Sequence, residues 1–282
     1  MRIAGTALCL LAAARFAQAQ KHGVPYAQSD EPRFQGKYAH VYFDEKHLTW
    51  RIGNDTIERV IHFARDEGSL RTREVTTKDG LPHVTVVTPN EGEFTVDGVG
   101  RVALDHDWAY SWQSVQEPAE GGRKLTIHLE GIRSHHGYEV EAMYQVQAGN
   151  RPYLAKSLTF INLTAGPLTV SRVVEDRWVL AAEPVKAKAA PAAPIHSASA
   201  KSDFLLMARS DDGFGAFMVT PLADIGANDG AVAVRANGPV VAAPDGGRAY
   251  MPQSVVYPFK GSEALGLALR KQYGESPRTA SK

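Results

Sequence analysis

The chain has 282 residues, 31 Lys plus Arg against 31 Asp plus Glu, and 44% hydrophobic residues. That length holds one large β domain or two small ones, and the hydrophobic share is enough for a real core. A formal net charge of zero excludes the electrostatic footprint of a nucleic-acid binder or of a protein drawn to an anionic membrane surface.

Residues 1–19 read as an export signal. Arg2 is the charged start, Ile3 to Ala14 the apolar run, and Ala17-Gln18-Ala19 the small-residue cleavage site. The run is shorter than the roughly 20 residues that span a bilayer, and Arg15 interrupts it. The expectation is therefore an exported protein, periplasmic or secreted, with no membrane anchor. Cys9 is the only cysteine and lies in this leader, so the processed chain has neither disulfide nor thiolate chemistry. Residues 20–36 are polar and Pro-containing, the pattern of a loose arm.

From Lys37 onward the pattern is that of strands. His40–Asp44 and His47–Arg51 form a hairpin around Asp44-Glu45-Lys46, and Asn54–Phe63 continues it. Gly68–Thr76, Val84–Thr88, Glu93–Val96 and Val99–Asp105 follow at the short spacing of a sandwich. Asp105–Val115 carries an aromatic cluster, and Lys124–Gly131 turns Leu125, Ile127 and Leu129 to one side. The strongest signal lies between Tyr138 and Leu180. There Tyr138, Val140, Ala142, Tyr144 and Val146 alternate with Glu139, Glu141, Gln145 and Gln147, the period of a strand buried on one face. Gly149-Asn150-Arg151-Pro152 and Thr164-Ala165-Gly166-Pro167 punctuate a three-strand meander with Tyr153–Asn162 and Leu168–Leu180. Residues 183–202 are Ala/Pro/Lys-rich without periodicity and read as a flexible loop within one domain, 37–273. Phe204–Arg209, Gly215–Thr220, Val232–Arg235, Arg248–Met251 and Ser254–Phe259 complete the strands. Ser262–Lys271 reads as a short helix with basic residues in its last turn, and 274–282 as a disordered tail.

Candidate site residues follow from this placement. On a regular strand Trp108, Tyr110 and Trp112 share one face, either as core between sheets or as a platform on which a sugar ring stacks. Asp105 and His106 beside them would bind hydroxyls. Neighbouring strand residues point to opposite sides, so Asp105, His106 and Asp107 do not converge on a metal. His135-His136 reads as a solvated turn. Arg172 and Asp176 fall in phase with Leu168, Val170, Val174 and Trp178. Charge on an apolar face requires a partner, so the two either pair with each other or line a polar cleft, and Lys156 poses the same question. Asn54-Asp55-Thr56 and Asn162-Leu163-Thr164 match the N-glycosylation pattern. No nucleotide-binding, zinc-protease or serine-hydrolase fingerprint is present, and no cofactor is expected.

Two stretches carry a family resemblance. Trp50-Arg51-Ile52-Gly53-Asn54-Asp55-Thr56-Ile57-Glu58-Arg59 with Gly68-Ser69-Leu70-Arg71-Thr72 resembles the opening of the amino-terminal domain of glycoside hydrolase family 36 α-galactosidases. Met251-Pro252-Gln253-Ser254-Val255-Val256-Tyr257-Pro258-Phe259-Lys260-Gly261 and the helix after it are similar to that domain's exit into the catalytic barrel. The resemblance implies an all-β supersandwich of the galactose-mutarotase-like kind and a carbohydrate ligand. In that family the catalytic carboxylates belong to the barrel. Ile161-Asn162-Leu163-Thr164-Ala165-Gly166-Pro167 lacks the histidine that aldose epimerases carry near their meander. The expectation is a carbohydrate-binding or accessory domain that does not hydrolyse α-galactosides by itself. Two alternatives stay open. One is an enzyme, either an aldose 1-epimerase or a glycoside hydrolase working with a partner chain. The other is a structural module docking on a separately encoded barrel.

Overall fold

A computed structural model of the chain describes residues 39–78, 80–118, 121–180, 196–201, 204–208, 211–218, 220, 223–228 and 231–274. The expected leader and arm lie outside the described residues, as do most of the Ala/Pro-rich stretch and the tail.

The described chain is almost entirely antiparallel sheet. Sheet I is a meander of β1 (His40–Asp44), β2 (Thr49–Gly53), β3 (Ile57–Ala64) and β4 (Ser69–Thr77). The chain then runs through β5 (Val84–Val86), β6 (Glu93–Val96), β7 (Gly100–Ala103), β8 (Trp108–Gln116), β9 (Arg123–Gly131), β10 (Tyr138–Val146), β11 (Leu154–Asn162) and β12 (Leu168–Leu180). It closes with β13 (His196–Lys201), β14 (Phe204–Ala208), β15 (Asp212–Met218), β16 (Ala223–Asn228), β17 (Ala231–Ala242), β18 (Gly247–Tyr250), β19 (Ser254–Lys260) and helix α1 (Glu263–Gly274). Sheet II has the order β16-β17-β12-β6-β7, with β5 also on β12. Sheet III has the order β13-β14-β15-β19-β11-β10-β9-β8, with β18 also on β11.

The period-two alternation of β9, β10 and β11 is matched by their burial. Leu125, Ile127, Leu129, Val140, Ala142, Tyr144, Leu158 and Phe160 all enter one core shared by the three sheets. Trp50 and Ile52 reach it from sheet I, Phe94 and Val170 from sheet II. The opposite face of sheet III is split. Over β14, β15 and β19 it forms a second apolar cluster of Leu206, Phe217, Tyr257 and Phe259, on which α1 lays Tyr273 and Leu269. Glycine permits that contact. A Cβ at Gly215 would sit 2.1 Å from the Tyr257 ring, and one at Gly266 of the helix 2.6 Å from Phe259. Over β8 to β10 the same face carries many polar side chains, and among the described residues no helix lies on it.

Several expectations need correction. The third strand of the meander leaves it: β11 already pairs β10, β18 and β19, so β12 crosses into sheet II between β17 and β6. Residues 196–201, expected within a flexible loop, form an edge strand on β14, held by backbone pairing that no side-chain alternation announces. β16 has no counterpart among the expected strands, and its partner β17 is far longer than Val232–Arg235. Both Asn-x-Thr matches are buried turns. Asn54 Nδ2 donates to the carbonyls of Gln147 and Arg151, at 2.9 and 2.7 Å, while its Oδ1 accepts from Thr56 and Ile57. Asn162 does the same with Gly166, Ala242 and Thr164. Amide groups so engaged are turn-forming side chains rather than glycan acceptors.

Candidate functional site

The open half of sheet III's outer face is built by the register of the β9–β10 hairpin. With Leu125, Ile127 and Leu129 turned into the core, His128 and Glu130 must point outward. Register sets Glu139 opposite Glu130 and Glu141 opposite His128. On the far side of β9, the β8 pairing slips between Tyr110 and Trp112. The bulge turns two successive residues, Ser111 and Trp112, to the outside. Trp112 stacks on His128 with centroids 4.7 Å apart and planes at 11°. Ser111 Oγ donates to Glu130 at 2.6 Å. β18 brings Arg248, which donates to Glu141 at 2.7 Å, and Tyr250, which is 59% exposed.

His128 is the pivot. It is 4% exposed, with Nε2 3.4 Å from Glu139 and Nδ1 3.6 Å from Glu141. Burial works against the imidazolium, but Glu139 and Glu141 outweigh it and hold the pKa above the ordinary histidine value. Burial likewise raises the Glu141 carboxyl, and His128 and Arg248 bring it below its usual range. Glu130 and Glu139 face each other directly, a like-charge pairing that is unfavourable without a cation or donor nearby. Ligand atoms of His128, Glu130 and Glu139 lie within 4.8 Å of one another, so these three are the described residues best placed to hold a metal ion. The face combines a stacked aromatic pair, carboxylates that accept from hydroxyls, and an arginine and imidazole that donate to them.

The sequence-chosen residues are placed differently. Trp108, Tyr110 and Trp112 do not share one face. Trp108 is 1% exposed, donates from Nε1 to the Ala103 carbonyl at 2.7 Å, and stacks on His135. Tyr110 packs between the sheets against Trp50, Phe43 and Phe63. Only Trp112, beyond the bulge, reaches the open face. Asp105 is held by Arg101 at 2.7 Å and by His106 at 2.6 Å, in the turn before β8. His135, expected in a solvated turn, is buried beneath Trp108, while His136 is exposed. Burial first, and then the nearby His106, lower the His135 pKa.

Arg172 and Asp176 do not pair. β12 bulges between Val170 and Arg172 and again between Val174 and Asp176. The second bulge turns both Glu175 and Asp176 inward and leaves Arg172 and Arg177 on the solvent side. Asp176 instead accepts both Arg59 guanidinium nitrogens, at 2.9 and 2.8 Å, and Lys156 Nζ at 2.9 Å. Arg59 and Lys156 also hold Glu91, at 2.7 and 3.0 Å, with Tyr144 donating to the same carboxylate at 2.6 Å and Thr72 to its other oxygen. Burial alone would raise the Glu91 carboxyl, but the two cations and two hydroxyls push it far below its usual range. These groups come from all three sheets and are essentially inaccessible. The network pins the sheets together and offers no opening to a ligand.

Architecture of this kind, a core shared by three antiparallel sheets with a short terminal helix, defines the chain as an all-β supersandwich. Among solved structures it superposes on part of the family 36 α-galactosidases. The α-galactosidase of Lactobacillus brevis matches at a TM-score of 0.51 and 11% identity, over 78% of this chain and 40% of that one. The family 36 α-galactosidase of Geobacillus stearothermophilus matches at 0.51 and 10% identity, over 79% and 41%. The chain thus spans about two fifths of these enzymes, consistent with their amino-terminal β-sandwich domain. At this identity the likeness is one of fold. No protein-family model and no curated protein matches the sequence.

Proposed function

We propose that the chain is an exported carbohydrate-binding accessory domain whose binding face is the open half of sheet III. The observation that carries this is the convergence on one uncovered sheet face of the Trp112–His128 stack with Glu139, Glu141 and Arg248. An aromatic ring takes the apolar side of a pyranose, and fixed carboxylates and a guanidinium read its hydroxyls. The fold it shares with part of the α-galactosidases supports a galactose-type ligand. Residues 1–19, with the pattern of an export signal, support export.

The test is calorimetric titration of the protein from Gln20 onward with galactose-containing and glucose-containing oligosaccharides. A galactose-containing ligand should bind, and Trp112→Ala and Glu141→Gln should each weaken it at least tenfold, about 1.4 kcal/mol, with unchanged melting temperature. Failure of the whole panel to bind, or binding indifferent to both substitutions, sinks the reading.

A further inference from the structure

On the outer face of sheet II lies a cleft of about 500 Å³ unrelated to the face of Trp112 and His128. Three arginines line it: Arg172 and Arg177 from β12 and Arg235 from β17. Among the described residues the acidic lining is Glu93, which is already taken by Arg101 at 2.7 Å. Arg235 is ion-paired with Asp224, its Nε 3.0 Å from the carboxylate. Arg172 and Arg177 form no ion pair with any described residue. In a chain of zero net charge, this leaves Arg172 and Arg177 without an acidic partner in one depression, beside an Arg235 that Asp224 already pairs. Thr88, at the rim, has a buried hydroxyl oxygen with no partner among the described residues. The floor is apolar and small-sided, with Val174, Ala233 and Gly226.

We propose that this cleft binds an oxyanion carried on a sugar, the carboxylate of a uronic acid or a sulfate ester. Guanidinium groups match planar or tetrahedral oxyanions with paired N–H donors, and charge-assisted bonds of that kind are the strong ones. The volume is that of a small-ligand site. The bulge at Val174/Asp176 puts Arg177 on the same side as Arg172, as bulges beside binding sites re-aim side chains. The sugar part rests on the carbohydrate reading above. The arginine cleft itself is independent of it.

The experiment compares four probes by titration calorimetry on the full chain: an oligogalacturonate, a sulfated galacto-oligosaccharide, the neutral galacto-oligosaccharide and inorganic sulfate. One or both acidic sugars should bind at least tenfold more tightly than the neutral one and than inorganic sulfate. Which of them binds identifies the anion. Arg172→Ala with Arg177→Ala should erase that difference. Both arginines are exposed, so the melting temperature of the double variant should match wild type. A drop in its melting temperature shifts the decision to salt on the wild-type chain. Raising NaCl from 50 to 500 mM should weaken the acidic ligand severalfold and spare the neutral one. Equal affinity for acidic and neutral sugars, an effect unmoved by the double variant, or no salt dependence overturns the proposal. Inorganic sulfate binding as tightly as the sugars overturns its carbohydrate part. Loss of neutral-sugar binding in Trp112→Ala speaks only to the face on sheet III.

Discussion

Glu175 sits beside the buried ion-pair network without a cation of its own. Its Oε2 lies 2.5 Å from the Ser254 hydroxyl, and its Oε1 is buried with no partner among the described residues. Ser254 also lies 3.3 Å from the Lys156 carbonyl, and one hydroxyl proton cannot serve both acceptors. A protonated Glu175 resolves this by donating to Ser254, which donates onward to Lys156. Burial accordingly raises its pKa from 4.5 to about 8. The sign follows from linkage. Above pH 4.5 the unfolded chain releases this proton and the folded chain keeps it, so rising pH removes stability until about pH 8. At pH 7 the cost is about 3 kcal/mol, of which roughly 2–3 kcal/mol accrues between pH 5 and 7. Glu175→Gln is isosteric and cannot ionise. Urea denaturation followed by tryptophan fluorescence, with Trp50, Trp108 and Trp178 all buried reporters, measures both proteins at several pH values. The stability difference, variant minus wild type, should climb by that amount from pH 5 to 7 and level off above 8. A pH-independent packing effect of the amide only offsets the curve. Glu91, whose contribution is lost as pH falls below 4.5, is common to both proteins and cancels. A difference that stays flat with pH would refute a buried, protonated Glu175.

Trp108→Ala should destabilise the fold by about 3–5 kcal/mol in the same denaturation assay, because the ring is enclosed and bonded to Ala103. Oligosaccharide affinity of the remaining folded protein should be unchanged, and a loss of affinity would return Trp108 to the binding face. Arg59→Met should cost about 3–5 kcal/mol by stranding Glu91 and Asp176. Restoring neutrality with Asp176→Asn in the same chain should recover part of that loss, and purely additive effects in the double-mutant cycle would contradict the network.

What the sequence reveals depends on where regularity holds. β9, β10 and β11 are legible because each is buried on one face, which writes period two into the chain. β8 and β12 begin with the same signal and lose it at bulges, which shift every later side chain to the other face. That is why Trp112 separates from Trp108 and Tyr110, and why Arg172 separates from Asp176. β13 and β16 lack large alternating residues and are held by backbone pairing, so nothing local marks them. The true partner of Asp176, Arg59, is 117 positions away and on another sheet, beyond the reach of any local pattern. Glu139 and Glu141 were legible as the outer face of β10. Pairing them with His128 required only the antiparallel register of a hairpin whose two strands were both visible.

The second bulge of β12 links the core to the surface. A strand running on in phase from Arg172, which faces solvent, would turn Asp176 outward and Arg177 inward. By placing Glu175 and Asp176 inward together, the slip supplies both the anion that binds Arg59 and Lys156 and the carboxyl that burial keeps protonated. The same slip sends Arg177 outward beside Arg172, over the cleft. A strand regular from Arg172 onward would provide neither Asp176 in the core nor Arg177 at the surface. The irregularity therefore has two independent reasons to exist: the inner one is read by the pH dependence of Glu175→Gln, the outer one by acidic-sugar binding. Shortening β12 by one residue at Val174 should damage stability and oxyanion affinity together, whereas Arg177→Ala should touch only the second.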